Sequence, residues 1–212
     1  MGIVDLTFLW AAFMGLFAII NPFSTGLVFL GLTSNDSEQR KKFLAKKASI
    51  LCMIIMFLFM ISGSLIFKIF SISIEAFQIA GGLLVAKVGF DMLNPKLKSE
   101  QSEDEHKESK QKKDISLIPL AIPMLSGPGA ITTGIVWMSQ ATGMWNKIGL
   151  LVIILIISAI AYIVLRNAKY LKKVLGTTGT NVIERLMGLI VLVMGIQFII
   201  NALRTLIPVL LG

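Results

Sequence analysis

Long apolar runs constrain this chain more than any other feature of its sequence. The 212 residues contain repeated stretches of about 20 mostly apolar residues, the length that a helix needs to cross a bilayer core of about 30 Å. Charged residues make up 15% of the chain, against about 25% in a typical soluble domain, and they gather between the apolar runs. The sequence therefore predicts an all-α polytopic membrane protein.

Six transmembrane spans are predicted from these runs. Their bounds are 6–33, 43–67, 74–94, 115–139, 147–166 and 182–210. Asn181 followed by Glu184 has the spacing of a capping box, which predicts that the helix of the sixth span begins at Asn181.

The basic residues predict the orientation of these spans. Most of the 20 lysines and arginines lie in three alternating polar segments, at 34–47, 95–114 and 166–181. The positive-inside rule places these segments in the cytoplasm and both termini outside. Because the basic residues are divided among loops without interleaved aromatic residues, the net charge of +8 predicts no nucleic-acid partner.

An internal repeat divides the chain into two halves. A shift of 106 residues aligns Pro22 with Pro128, Gly82 with Gly188, and Gly89 with Gly195. Each half holds three predicted spans, an odd number, so the second half enters the membrane from the opposite side. The predicted organisation is an inverted repeat of 1–94 and 115–212, joined by a charged cytoplasmic linker at 95–114.

Helix breakers interrupt the first span of each half near its middle. Asn21-Pro22 breaks the first span and Gly127-Pro128 breaks the fourth. Proline removes a backbone hydrogen bond, and irregular backbone at this depth is tolerated only where it is buried in protein or lines a cavity. Since Asn and Gly are acceptable N-caps and Pro favours the first helical position, each span is predicted to be discontinuous.

These breaks predict one substrate site in the middle of the membrane. Two half-helix N-termini would approach it from opposite sides and favour a carboxylate, while the carbonyls that end the preceding half-helices would receive an ammonium group. Such a site suits a small zwitterion. Two proline kinks that serve packing alone are the other interpretation. The candidate substrate-binding residues are Asn21, Pro22, Ser24, Thr25, Gly26, Ser126, Gly127, Pro128, Gly129 and Thr132.

Other reactive residues give no pattern of an enzyme. His106 is the one histidine and lies in the charged linker, and Cys52 is the one cysteine and lies in an apolar run. We therefore expect no catalytic residues, no bound metal and no cofactor. Lys87 and Asp91 stand four apart in the third span, where they are able to pair on one helix face or to serve proton coupling.

The motifs at the breaks and in the third and sixth spans resemble those of the MarC family. The resembling segments are Asn21-Pro22 with Phe29-Leu30-Gly31-Leu32-Thr33, the stretch from Ser73 to Gly82, the stretch from Pro119 to Ile131, and Asn181-Val182-Ile183 with Met187-Gly188-Leu189. The resemblance implies a six-span protein of the inner or plasma membrane, in a family with some members regarded as carriers of glycine, alanine and similar amino acids. Ser24 and Leu27 depart from the glycine and proline usual in that family.

The predicted function is secondary transport of small neutral amino acids across the cell membrane, by alternating access around the central site. The alternative is a MarC-type membrane protein without amino-acid transport: an exporter of another small solute, a channel, or a non-transporting stress or scaffold protein. The predicted partners are the amino acid and the lipid bilayer. Coupling to Na⁺ or H⁺, and assembly into a homo-oligomer, are left open.

Overall fold

The computed structural model describes residues 4–94 and 125–211. Within them, all regular secondary structure is helical. The helices are α1 (Leu6–Ile20), α2 (Pro22–Leu32), α3 (Glu38–Phe70), α4 (Ile74–Leu93), α5 (Pro128–Gln140), α6 (Gly143–Arg166) and α7 (Ala168–Leu211). The predicted linker at 95–114, with His106, and the first part of the predicted fourth span, 115–124, lie outside the described residues.

Five candidate membrane spans are present in the described residues. They are Leu6–Leu32, Glu38–Gly63, Ile74–Leu93, Gly143–Arg166 and Thr178–Ile207. These correspond to the first, second, third, fifth and sixth predicted spans. Of the fourth, the described part is α5, which has 13 residues and is too short to cross a bilayer alone. In the described residues, the predicted all-helical structure is confirmed, with five helices long and apolar enough to cross a membrane.

α3 extends beyond its apolar run at the N-terminal end. It begins at Glu38 rather than 43, because Ser37 is an effective cap whose hydroxyl oxygen accepts a hydrogen bond from the Arg40 backbone N–H at 3.3 Å. Two ion pairs stabilise this first turn, Arg40 with Asp36 at 3.2 Å and Lys41 with Glu38 at 3.0 Å. Charged residues with good helix propensity therefore continue the helix past the hydrocarbon.

The helix of the sixth span does not begin where the sequence predicted. α7 begins at Ala168 and runs through Asn181, so the prediction of a capping box at Asn181 is wrong. The backbone interruption lies at Gly176, where φ is 61° and ψ is −172°, and the Thr180 hydroxyl donates to the Gly176 carbonyl at 2.9 Å. Gly176 divides α7 into a basic segment at 168–175 and the membrane-spanning part.

Four glycines bring the backbones of α4 and α7 into direct contact. A Cβ atom on Gly82 would lie 2.6 Å from the carbonyl oxygen of Gly195, and a Cβ on Gly195 would lie 2.6 Å from the carbonyl oxygen of Gly82. Gly89 and Gly188 are related in the same way, at 2.8 and 2.9 Å. Since later residues of α4 meet earlier residues of α7, the two helices run antiparallel. No side chain larger than hydrogen fits at this crossing.

The interior lies where α3, α5 and α6 face α1. Cys52, Met56 and Met60 form one buried face of α3, with at most 1% of each residue exposed. On the opposite face of the same helix, Leu58 and Ile61 are both 62% exposed, as expected of side chains that contact lipid. Met56 and Met60 contact α5 at Gly134, in the middle of that helix.

Candidate functional site

The first helix break lies at Asn21, as predicted. α1 ends at Ile20 and α2 begins at Pro22, while Asn21 between them has a left-handed conformation with φ 44° and ψ 68°. Asn is one of the few residues that adopt this conformation at low cost. Pro22 has no N–H, so the carbonyl of Ala18 receives no hydrogen bond from the residue four positions later. Ala18 and Asn21 are both buried.

The Asn21 side chain closes the start of α2. Its Oδ1 accepts a hydrogen bond from the Ser24 backbone N–H at 3.3 Å, and its Nδ2 donates to the Ser24 hydroxyl at 2.9 Å. The Thr25 hydroxyl donates to the Asn21 carbonyl at 3.2 Å. These predicted site residues therefore bond to one another and fix the shape of the break.

The start of α5 differs in this respect. Gly127 is its N-cap in an extended conformation, with φ −67° and ψ 170°, and has no side chain to cap the helix. Pro128 is the first helical residue, and the Gly127 carbonyl accepts from the Ile131 N–H at 3.0 Å. The N–H groups of Gly129 and Ala130 have no partner inside the helix, as at any helix start. Among the described residues, no side chain caps this N-terminus.

Tertiary packing brings the start of α5 to the break between α1 and α2. The rings of Phe8 near the start of α1 and Trp137 near the end of α5 lie 5.2 Å apart, so the two helices pack antiparallel. At the other end of this contact, a Cβ on Gly129 would lie 3.0 Å from Ile19 Cδ1 and 3.3 Å from Val88 Cγ2. The N-terminus of α5 thus lies at the level where α1 ends.

Buried hydroxyl and amide groups follow on α5 and α4. Thr132 is 7% exposed and packs on Gly81 of α4, where an added Cβ would overlap its methyl group. Thr133 is fully buried, and its hydroxyl has no hydrogen-bond partner among the residues that the structure describes. Gln78, one turn before Gly81, is also 7% exposed. Gln78 is not among the predicted site residues, although a lone amide in an apolar span indicates a functional position.

The predicted site residues fall into two groups and one exception. Asn21, Pro22, Ser24 and Thr25 surround the first break, and Ser126, Gly127, Pro128, Gly129 and Thr132 surround the start of α5. The exception is Gly26, where an added Cβ would lie 3.2 Å from Val164 Cγ1 of α6 and 3.5 Å from Leu171 Cδ2 of α7. Gly26 therefore allows close helix packing on the side of α2 that faces α6 and α7.

Lys87 and Asp91 of the third span precede and follow Val88, which packs beside Gly129. Lys87 is exposed and Asp91 is partly buried. Lys87 and Asp91 do not lie within 4.0 Å of each other, so the predicted pairing of these two residues is not formed. Residues 4–94 and 125–211 contain no cluster of three His, Cys, Asp or Glu side chains that could hold a metal ion.

Comparisons with known proteins place the chain in a family. The sequence pattern of the MarC family integral membrane proteins matches residues 6–207. The chain is 37% identical to UPF0056 membrane protein YvbG of Bacillus subtilis, over 96% of this chain and 98% of that protein. It is 35% identical to UPF0056 membrane protein YhcE of Escherichia coli, over 94% of each chain.

Relatives occur in archaea as well. UPF0056 membrane protein MJ1677 of Methanocaldococcus jannaschii is 34% identical over 95% of this chain and 98% of its own length. No solved structure matches the chain. A family match across nearly all of the sequence, together with the apolar helices and the broken first span, leads to one conclusion: the chain belongs to the MarC family of integral membrane proteins.

Proposed function

We propose that this chain is a secondary transporter of small neutral amino acids, with its substrate site at the junction of the two helix breaks. The observation that carries the proposal is the contact of Gly129, in the first turn of α5, with Ile19, in the last turn of α1. This contact joins an uncapped helix N-terminus to the carbonyl end of another helix. The two ends offer opposite partial charges at one place.

The substrate carboxylate binds at the start of α5. The N–H groups of Gly129 and Ala130 are the donors, and the absence of a capping side chain at Gly127 leaves them for the ligand. Asn21 already caps α2 through Ser24, so α2 contributes less to anion binding and its cap keeps the break in shape.

The substrate ammonium group binds at the end of α1. The carbonyl of Ala18 lacks its helical donor because of Pro22, and a cationic donor satisfies it. Space near Gly129 is limited, since Ile19 and Val88 occupy the positions that a larger residue would need. A site of this size favours glycine, alanine or serine over larger amino acids. The adjacent Thr133 hydroxyl offers a further hydrogen bond to a bound polar group.

We infer that the chain has six spans in two inverted halves, which is the architecture that alternating access uses. The glycine crossing of α4 and α7 supports this. A shift of 106 residues carries Gly82 to Gly188 and Gly89 to Gly195. The same shift therefore converts the contact between Gly82 and Gly195 into the contact between Gly188 and Gly89. A two-fold axis between the two helices requires this relation. Both termini lie outside the cytoplasm in this proposal.

Uptake by purified protein in lipid vesicles tests the transport proposal. Vesicles that contain the protein receive radiolabelled glycine, alanine or serine, under an imposed Na⁺ or H⁺ gradient or none. We expect saturable uptake of at least one of the three, stimulated by one of the two gradients. Vesicles with Gly129→Leu protein are the matched control, because leucine fills the space that the substrate needs.

Each alternative function gives a different result in this assay. Flux that rises in proportion to concentration without saturation indicates a channel. If none of the three amino acids shows flux, and thermal unfolding shows that the protein is folded, amino-acid transport is contradicted. The remaining functions are transport of another solute or a non-transporting role. Equal flux in wild type and Gly129→Leu contradicts the location of the site.

A further inference from the structure

A second polar feature lies away from the substrate site, at the ends of the spans. A cavity of about 510 Å³ opens between the C-terminal half of α2, the start of α3 and the basic segment of α7. Its α2 wall is formed by Leu27, Leu30 and Gly31, which share one helix face because they are spaced three and four residues apart. Nothing lies within 4 Å of the position of a Cβ on Gly31, so this wall borders open space.

Lysines form the other walls of this cavity. α3 contributes Glu38 and Lys41, and α7 contributes Lys169 and Lys172. Glu38 lies 3.0 Å from Lys41 and neutralises it, whereas Lys169 and Lys172 form no ion pair with any residue that the structure describes. The cavity, named here the basic groove, therefore carries an excess of two positive charges. The first turns of two helices line it, which adds positive potential from their N-termini.

The surroundings of the basic groove are those of a membrane interface. The groove lies beside the candidate spans Leu6–Leu32 and Glu38–Gly63, at the end of the first and the beginning of the second. In the adjoining segment at 168–175, Tyr170 is 69% exposed and Val174 is 82% exposed. An exposed tyrosine and an exposed apolar residue among lysines are typical of a short helix that lies at the headgroup level of a bilayer.

We propose that the basic groove binds the phosphate of an anionic phospholipid headgroup. Lys169 and Lys172 contact the phosphate, as basic pockets between membrane helices do for anionic lipids. The first part of an acyl chain lies along the side chains of Leu27 and Leu30. A soluble phosphate would leave these two apolar side chains uncovered. The apolar wall and the interface position favour a lipid over a free phosphate compound as the source of this group.

Lipid binding to the purified protein tests the proposal. Native mass spectrometry measures apparent affinity for phosphatidylglycerol and for phosphatidylcholine, in wild type and in a double variant, Lys169→Gln with Lys172→Gln. We expect phosphatidylglycerol to bind more tightly than phosphatidylcholine to wild type. Affinity for phosphatidylglycerol should fall about fivefold for each lysine removed, with little change for phosphatidylcholine.

Two further variants distinguish the groove from general charge. Lys173→Gln removes an exposed lysine of the same segment that does not line the groove, and it should retain wild-type lipid affinity. Gly31→Phe fills the groove without removing a charge, and it should weaken binding of phosphatidylglycerol as strongly as the double lysine variant. Equal losses in Lys173→Gln and the double variant, or full affinity in Gly31→Phe, overturn the proposal.

A soluble probe separates the two sources of phosphate. Protein in phosphatidylcholine nanodiscs is titrated with glycerol 3-phosphate and with inorganic phosphate, and thermal unfolding is measured. The lipid proposal expects no shift of the unfolding midpoint with either compound at millimolar concentration. The opposite result has two parts: wild type shows a shift of the unfolding midpoint that the double lysine variant loses, and wild type shows no preference for phosphatidylglycerol. That result assigns the groove to a soluble phosphate and overturns the lipid proposal.

Discussion

At the scale of single residues, Asn21 and Gly127 are aligned by the shift of 106 residues but have different structural roles. Both precede a proline that begins a helix. Asn21 caps its own helix through Ser24 and tolerates a positive φ, whereas Gly127 has no side chain to cap the helix that follows it. One break is therefore held by its own side chain, and the other is completed by a ligand in our proposal.

Replacement of Asn21 separates its conformational role from its capping role. Asn21→Ala loses the cap and places at φ 44° a residue without the polar side chain that makes this conformation tolerable, each change costing about 1 kcal/mol. Asn21→Gly adopts this φ freely and should lose only a few tenths of a kcal/mol. Thermal unfolding in detergent measures both. Equal destabilisation by alanine and glycine would contradict the role of the left-handed conformation.

Replacement of Gly129 tests the space at the proposed site. Gly129→Leu should reduce saturable uptake by roughly tenfold or more, since added carbons occupy the volume of a small substrate. Ile19→Val removes the Cδ1 atom that a Cβ on Gly129 would approach at 3.0 Å, so Gly129→Ala combined with Ile19→Val should retain uptake. If Gly129→Ala with Ile19→Val shows uptake as low as Gly129→Leu, any side chain at position 129 abolishes uptake. That result would contradict a role for the space between Gly129 and Ile19.

The prolines made the first break and the start of α5 predictable, because their effect on a helix is local. The difference between the two breaks was not predictable, because it depends on hydrogen bonds of the Asn21 side chain. Nor does the sequence indicate that Ile19 lies against Gly129, since that contact comes from the antiparallel packing of α1 and α5. Gln78 differs, since a lone amide in an apolar span is visible in the sequence and only its burial on α4 is a tertiary property.

At the scale of helices, the contact between α4 and α7 depends on glycine. Backbone atoms of one helix occupy the places where Cβ atoms of the other would stand. In a bilayer, such close approach replaces the hydrophobic driving force that water supplies to soluble proteins. Gly82 and Gly89, like Gly188 and Gly195, stand seven residues apart and so share one helix face, and the structure identifies the partner of each face.

Alanine substitutions measure the strength of this contact. Gly89→Ala places a Cβ 2.8 Å from the carbonyl oxygen of Gly188, so we expect a loss of about 1–3 kcal/mol in the free energy of unfolding. Gly31→Ala is the matched control, since its Cβ meets nothing within 4 Å and alanine favours the helix by about 0.5–1 kcal/mol. Similar unfolding midpoints for the two variants would contradict close contact of the backbones.

Helix boundaries in the polar regions were harder to predict than those in the membrane. Hydropathy marks the hydrocarbon, and the third span was predicted within one residue at its end, 74–94 against Ile74–Leu93. α3 and α7 instead continue into lysine-rich sequence, where capping by Ser37 and the positive φ of Gly176 set the boundaries. Ser37 and Gly176 are visible in the sequence, but the length of an apolar run does not indicate that helix boundaries lie there.

At the scale of the whole molecule, the orientation in the membrane remains a prediction that labelling can test. Cys52 is fully buried, so a Cys52→Ala background provides a chain without other thiols. Single cysteines at exposed Ile72 and Thr142 should react with a membrane-impermeant maleimide in intact cells. Cysteines at exposed Gln39 and Lys173 should react only after permeabilisation. The reverse pattern would place both termini in the cytoplasm.

The glycine crossing also has a consequence for biogenesis. α4 finds its close partner in α7, which the ribosome makes after every other helix that the structure describes. The nascent chain therefore releases α4 into the bilayer with its glycine face covered only by lipid or by an insertion factor. Membrane insertion and final packing of this protein are separate events, and the second waits until synthesis reaches α7.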